Sequence, residues 1–225
     1  VLAHFHRFAK SSTHGRGLRP VLVRAILGGG LLRIAGMGLS FLVGLQLARG
    51  LGPEGYGIYG LAMAIIAVLM VPTQFGFPQL ATREIAAAHV KAMPERVDKL
   101  IRWFRTRLLV LAMLAVAIVS LALASDALPL GAALAEVLFV GAFLIPVVAL
   151  LNLTAGILRG LQHLVLGQLP DTVMRPGFHA LSIAFVVFVL GLKLSPELAM
   201  SLGVLSALIS LILSSLILGK LRPPR

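Results

Sequence analysis

Residues 198–219 read LAMSLGVLSALISLILSSLILG, without one Asp, Glu, Lys or Arg. A helix crossing the hydrocarbon core of a bilayer needs about 20 predominantly apolar residues, and this run supplies them. Working outward, similar charge-free runs occupy 176–192, 137–158, 108–125 and 55–82, and 25–48 is broken only by Arg33. Backbone in lipid must satisfy its polar groups within its own segment, so runs of this length are helices. The expected fold class is an all-α membrane protein with six transmembrane helices, at about 25–48, 56–77, 104–125, 136–158, 176–192 and 198–219. A basic arm, 1–24, precedes this region (25–219), and a basic tail, 220–225, follows it.

The composition agrees. Hydrophobic residues make up 59% of the chain and charged residues 12%, against roughly 25% charged in a soluble domain. Soluble, disordered and fibrous classes are thereby excluded. There is no cysteine, hence no disulfide, thiolate metal site or cysteine nucleophile. The net charge of +12 would suggest nucleic acid in a soluble protein. Here it has a distribution that needs no such partner. Seventeen of the twenty basic residues fall in the arm, in the connections after the second and fourth spans, and in the tail. The alternate side holds only Arg49 and Lys193, and Arg33 lies inside the first span. Positive charge marks the cytoplasmic side, so the chain is expected in the inner (cytoplasmic) membrane with both termini cytoplasmic. The N-terminus is not a cleaved secretory signal, because its apolar run is too long and more spans follow. The chain starts on Val1 and is expected to be truncated.

The longest polar connection leads into the third span. Pro94 opens a helix with Glu95 and Asp98 in its first turn. Val97, Leu100, Ile101, Phe104 and Leu108 form an apolar stripe, with Arg96, Lys99, Arg102 and Arg105 mostly elsewhere on the wheel. This reads as an amphipathic lead-in on the inner leaflet, with Trp103, the single tryptophan, as its interface anchor. Its charges serve either anionic-lipid binding or ordinary positive-inside anchoring. Prolines interrupt several spans: Pro72 and Pro78 around the second, Pro146 in the fourth, Pro170 and Pro176 before the fifth. Such breaks either line a cavity or are packing kinks. Gly28–Gly30, Gly36 and Gly38 allow close helix contact. They lack the Lys-Ser/Thr of a phosphate-binding loop.

Charge inside a membrane is costly and tends to be functional. Arg33 is nine residues past Arg24, so roughly 13 Å deeper. It either faces an internal cavity and binds an anion such as phosphate, or snorkels to the inner headgroups. No Asp or Glu lies deep in a span, because Asp171 reads as near the inner face. Among the uncharged polar residues, Gln74 and Asn152 fall near kinks; they bind sugar hydroxyls or hydrogen-bond between helices. Enzyme readings find no Gly-x-Ser-x-Gly turn and no HExxH spacing. Catalytic residues, metal ligands and cofactors are therefore not expected.

One string is more specific. Residues 47–59 read LARGLGPEGYGIY, followed by FGF at 75–77 and ATREIA at 81–86. With the weaker ILRGLQ at 157–162, and Gln168, Leu169, Pro170, Arg175 and Pro176 after it, this resembles the polysaccharide-biosynthesis oligosaccharide flippases. They belong to the multidrug/oligosaccharidyl-lipid/polysaccharide exporter superfamily. The resemblance spans roughly residues 25–219. It implies a structural turn at Gly52, Pro53, Gly55 and Gly57, and a MATE-like flippase fold of which this chain is the amino-terminal six-helix lobe. Its partner would be a carboxy-terminal lobe or a second copy. The implied activity is alternating-access flipping of a lipid-linked oligosaccharide on a polyprenyl pyrophosphate carrier. Arg33 would pair with the pyrophosphate, while Arg83 or Arg175 would guide it at the cytoplasmic mouth. The alternatives are a cation-coupled drug exporter of the same superfamily and a non-transporting membrane scaffold.

Overall fold

The structure, a computed structural model, describes residues 18–125 and 131–221, with side chains from residue 29 onward. The N-terminal arm before residue 18, the outer connection at 126–130 and the tail beyond 221 lie outside the described residues. Those described are almost entirely helical, and five helical stretches are long and apolar enough to cross a membrane.

The first helix, α1, runs from Leu18 to Gln74. Straight, it would be about 86 Å long, nearly three times the hydrocarbon thickness of about 30 Å. It is not straight, because Gly52 has φ 68° and ψ 178°, a backbone region essentially restricted to glycine. Pro53 follows it and starts the next helical turn, where its missing N–H goes unnoticed. The chain therefore folds back, and the two arms, 18–51 and 53–74, face each other across a common space. One long helix thus contributes two crossings, which brings the five stretches into line with a lobe of about six.

Phe77–Val90 forms α2 and Pro94–Ala124 forms α3. Ala132–Ala142 (α4) and Leu144–Gly160 (α5) are one crossing broken at Phe143. Pro146 explains the position of the break. Its ring displaces the carbonyl four residues back, that of Ala142, where α4 ends. Leu164–Leu169 (α6) leads through a π-helical turn, Pro170–Met174, into α7, Arg175–Ala184. A second π turn, Phe185–Val189, ends that crossing, and Pro196–Leu221 forms α8. The fifth span was expected to start at 176, after Pro170 and Pro176. Instead the helical path begins at Leu164 and absorbs both prolines: the wide turn lets the Arg175 N–H reach the Pro170 carbonyl, five residues back.

Glycines set the neighbours. On the first arm of α1, Gly29, Gly36 and Leu39 meet Gln168, Thr172 and Gly177, and Gly50 meets Leu194, so this arm and the α6–α7 crossing run parallel. The second arm and α2 run parallel to α4–α5, with Ile66 at Gly141, Pro78 at Gly156 and Thr82 at Gly160. Two apolar cores result. One is built around Tyr59, Ile66, Ile145 and Met200, the other around Ile85, Ile101, Phe104 and Leu153.

The second core corrects one expectation. Val97, Ile101, Phe104 and Leu108 are buried against α2 and α5. The stripe read as resting on the inner leaflet is turned toward protein, and the opposite, basic side of α3 faces outward.

Candidate functional site

Because α1 turns back at Gly52, its two arms diverge from that point, and the wedge between them is closed by α5, α7 and α8. The result is a cavity of about 600 Å³. The first arm contributes Ser40, Val43, Gly44 and Leu47, and the second contributes Tyr56, Tyr59, Met63 and Met70. Asn152 enters from α5, Asp171 from the first π turn, Arg175 and His179 from α7, and Ser206 from α8.

The polar groups are not evenly spread. Asp171 and Arg175 stand one helical turn apart, with Arg175 Nε 3.4 Å from Asp171 Oδ1 and both side chains partly exposed. Gly36 against Thr172 and Leu39 against Gly177 place this pair at the level of residues 36–39 on the first arm. Tyr56 and Tyr59, close to the Gly52 turn, form the opposite end. His179 is buried between them, its Nε2 donating to the Ala199 carbonyl at 3.3 Å. Gly203 makes room for it, since a Cβ there would sit 3.4 Å from His179 Cε1. The cavity therefore has an aromatic end near the turn, an ionic pair deeper along the first arm, the hydroxyls of Ser40 and Ser206, and the Asn152 amide on its α5 wall. That set suits a ligand carrying both an anionic group and hydroxyls.

The residues singled out from sequence are distributed as follows. Arg175 and Asn152 line the cavity. Gln74 lies behind Asn152 and accepts a hydrogen bond of 3.3 Å from its Nδ2, so it orients that amide across the helix pair. Arg33 is exposed and does not line the cavity wall. It does lie on the face that carries Ser40, Gly44 and Leu47, at i+7, i+11 and i+14. Taking Arg175 at the level of residues 36–39, Arg33 sits about 4–9 Å nearer the start of α1. The two arginines are thus staggered along one route. Arg83 is remote, on the exposed side of α2, 79% accessible and 3.5 Å from Glu84. Trp103 packs against Phe77 and Phe104 at ring-centroid distances of 6.1 and 5.1 Å and is half exposed. In the turn, Gly52 carries the positive φ, Gly55 packs on Leu51 and Pro196, and Gly57 faces open space.

Asp171, Tyr56, Tyr59 and Ser206 were not picked out as site residues. Asp171 looked peripheral because Pro170 and Pro176 read as helix boundaries. The tyrosines stand inside the 47–59 string, where the glycines carry the turn signal. Nothing local marks Ser206. No group of three or more His, Cys, Asp or Glu that could hold a metal ion occurs among the described residues.

Comparison with known proteins adds two findings. In fold, the chain is similar to a crystal structure of MATE in complex with Br-NRF, with a TM-score of 0.67 and 16% identity. The similarity covers 92% of this chain and 48% of that one, so the chain spans about half the length of the solved structure. No curated protein matches it. In sequence, residues 23–224 match the family described as Polysaccharide biosynthesis protein. With the match running over nearly its whole length, this multi-pass membrane chain, built on a MATE-like fold, belongs to the polysaccharide biosynthesis protein family.

Proposed function

We propose that the chain is the amino-terminal lobe of a flippase that carries a lipid-linked oligosaccharide across the cytoplasmic membrane by alternating access, the polyprenyl tail remaining in lipid. The observation that carries this reading is Arg175, a cation at the wall of a cavity whose other polar lining groups are the Asp171 carboxylate, the Asn152 amide, His179 and the hydroxyls of Ser40, Ser206, Tyr56 and Tyr59, set among apolar side chains such as Met63 and Ile66. A pyrophosphate would sit at Arg175, reached past Arg33. Sugar hydroxyls would meet Asn152, itself held by Gln74, and the tyrosine end would accept sugar faces. The basic end of the lobe faces the cytoplasm in this reading, which puts Arg33 ahead of Arg175 on the way in.

Asp171 favours a second reading, a cation-coupled drug exporter, because it places a carboxylate in the cavity. Its contact with Arg175 at 3.4 Å offsets both charges alike, so the anion reading stands ahead on the polysaccharide biosynthesis family match and on Arg33, a second cation beside the route.

The test is headgroup translocation by the whole protein in proteoliposomes, using a fluorescent polyprenyl-pyrophosphoryl sugar. Arg175→Gln should slow translocation roughly 10- to 100-fold, the loss of one charged hydrogen bond of about 1.5–3 kcal/mol. Arg175→Lys, which keeps charge but not the planar fork, should fall between. Wild-type rates from well-folded Arg175→Gln would sink the proposal. A proton-linked uptake of organic cations abolished by Asp171→Asn, with no glycan transport, would favour the second reading.

A further inference from the structure

The outward side of the α2–α3 hairpin carries a charge that the cavity does not use. Between residues 83 and 107 there are seven basic and three acidic residues. Arg83, Lys91, Arg96, Lys99, Arg102 and Arg107 are all exposed. Arg83 remains 79% accessible even beside Glu84. An interfacial helix ordinarily turns its apolar face to the acyl chains. Here that face is spent on the second core, so what α3 presents to its surroundings is cationic.

The same helix records where the acyl region starts. Up to Arg107 its exposed positions are polar or charged apart from Trp103. From Leu109 to the end of the helix they are all apolar, among them Leu109, Val110, Met113, Leu114, Ile118 and Leu121. The half-exposed Trp103, one turn before that border and braced on Phe77, occupies the depth at which interfacial aromatics settle. From Arg96 to Arg107 the helix rises about 16 Å, and Arg96, Lys99, Arg102 and Arg107 lie within one side of it. The membrane-side end of that row, Arg102 and Arg107, stands at headgroup depth, with Lys99 and Arg96 about 12 and 16 Å before Arg107 along the same helix.

We propose that this face is a binding site for anionic phospholipids, with Arg102 and Arg107 holding headgroup phosphates, Lys99 and Arg96 adding electrostatic attraction from just outside the headgroup layer, and Trp103 fixing the depth. The occupant is a leaflet lipid rather than an acidic protein segment, because the face merges without a gap into lipid-exposed helix. The inference is independent of what the cavity transports.

The experiment is native mass spectrometry of the intact protein released from bilayer discs of mixed phosphatidylglycerol and phosphatidylcholine, counting retained lipids of each kind. Wild type should retain phosphatidylglycerol preferentially. R96Q/K99Q/R102Q/R107Q should reduce that preference at least tenfold, since each basic group near an anionic surface contributes on the order of 1 kcal/mol, about fivefold. Melting in pure phosphatidylcholine discs should be unchanged, because none of the four side chains is buried. Where the fourfold variant fails to fold, K99Q and R107Q singly should each lower the preference roughly two- to fivefold. Equal retention of both lipids by wild type would overturn the proposal. So would an undiminished preference in the folded variants, the outcome expected if the face serves a protein partner.

Discussion

Gly156 is one of the residues at which the lobe is least forgiving. A Cβ there would lie 2.5 Å from the Pro78 carbonyl oxygen, a backbone atom that cannot swing aside. The close approach has a purpose. Thr82 Oγ1 lies 2.8 Å from the Pro78 carbonyl and 2.9 Å from that of Gly156, tying α2 to α5 with one hydroxyl. Small residues that admit such backbone proximity are the usual adhesive between helices in lipid, where hydrophobic burial gives no advantage. Gly156→Ala should therefore destabilise the protein by about 1–3 kcal/mol, as overpacking does. It should also lose the cross-helix half of the Thr82 contact. Gly38→Ala is the control: nothing lies within 4 Å of its added Cβ, and the substitution should be neutral or raise stability by about 0.4–1 kcal/mol. Thermal unfolding in one detergent measures both, and equal melting for Gly156→Ala and wild type would contradict the account.

The elements show which features a sequence carries and which it does not. The crossings were legible, because the absence of charge over lipid-thickness distances is a local property. So was the turn between the first two, in the string at 47–59. Within that string the glycines are not equivalent: Gly52 has φ 68°, a Cβ added at Gly55 would lie 3.2 Å from Leu51 and 3.4 Å from Pro196, and one added at Gly57 would meet nothing within 4 Å. Gly52→Ala should thus cost about 1–3 kcal/mol through backbone strain and loosen the α1 hairpin that shapes the cavity. Gly57→Ala should be tolerated. Protease accessibility of the turn and melting temperature separate the two; equal behaviour would mean that the turn geometry does not govern α1. The interior of the fifth crossing was not legible. A proline inside a helix and a proline ending one look alike in sequence, and only the wide turn at 170–174 decides between them. That decision moves Asp171 and Arg175 from a connection to the cavity wall. The orientation of α3 is undetermined in the sequence for a similar reason. An apolar stripe specifies something apolar to cover it, and both lipid and neighbouring helices meet that specification.

At the scale of the molecule, the cavity has an unfinished rim. Ile34, Met37 and Phe41 on the first arm of α1, Val68 and Val71 on the second, and Phe75 just past its end are each at least 65% exposed. On both arms these positions adjoin the faces that line the cavity. Exposed apolar side chains beside a polar cavity that opens between two helices are suited to a second protein surface that would close it. The chain spans 48% of the solved MATE chain, and under the flippase reading proposed above the covering surface is a second lobe, against which rocking would give alternating access. The 225-residue chain reconstituted alone should therefore fold but not translocate a polyprenyl-pyrophosphoryl sugar. Co-reconstitution with a complementary lobe should restore transport. Because the chain has no cysteine, single cysteines at Ile34 and Val71 report the rim without background. They should react with a maleimide in the lone chain and be protected at least severalfold in the complete transporter, whereas a cysteine at lipid-facing Ile118 should react equally in both. Transport by the lone chain together with protected rim cysteines would identify the partner as a second copy. Transport with both rim positions still fully reactive would show that a single lobe moves the headgroup unaided and would remove the two-lobe mechanism.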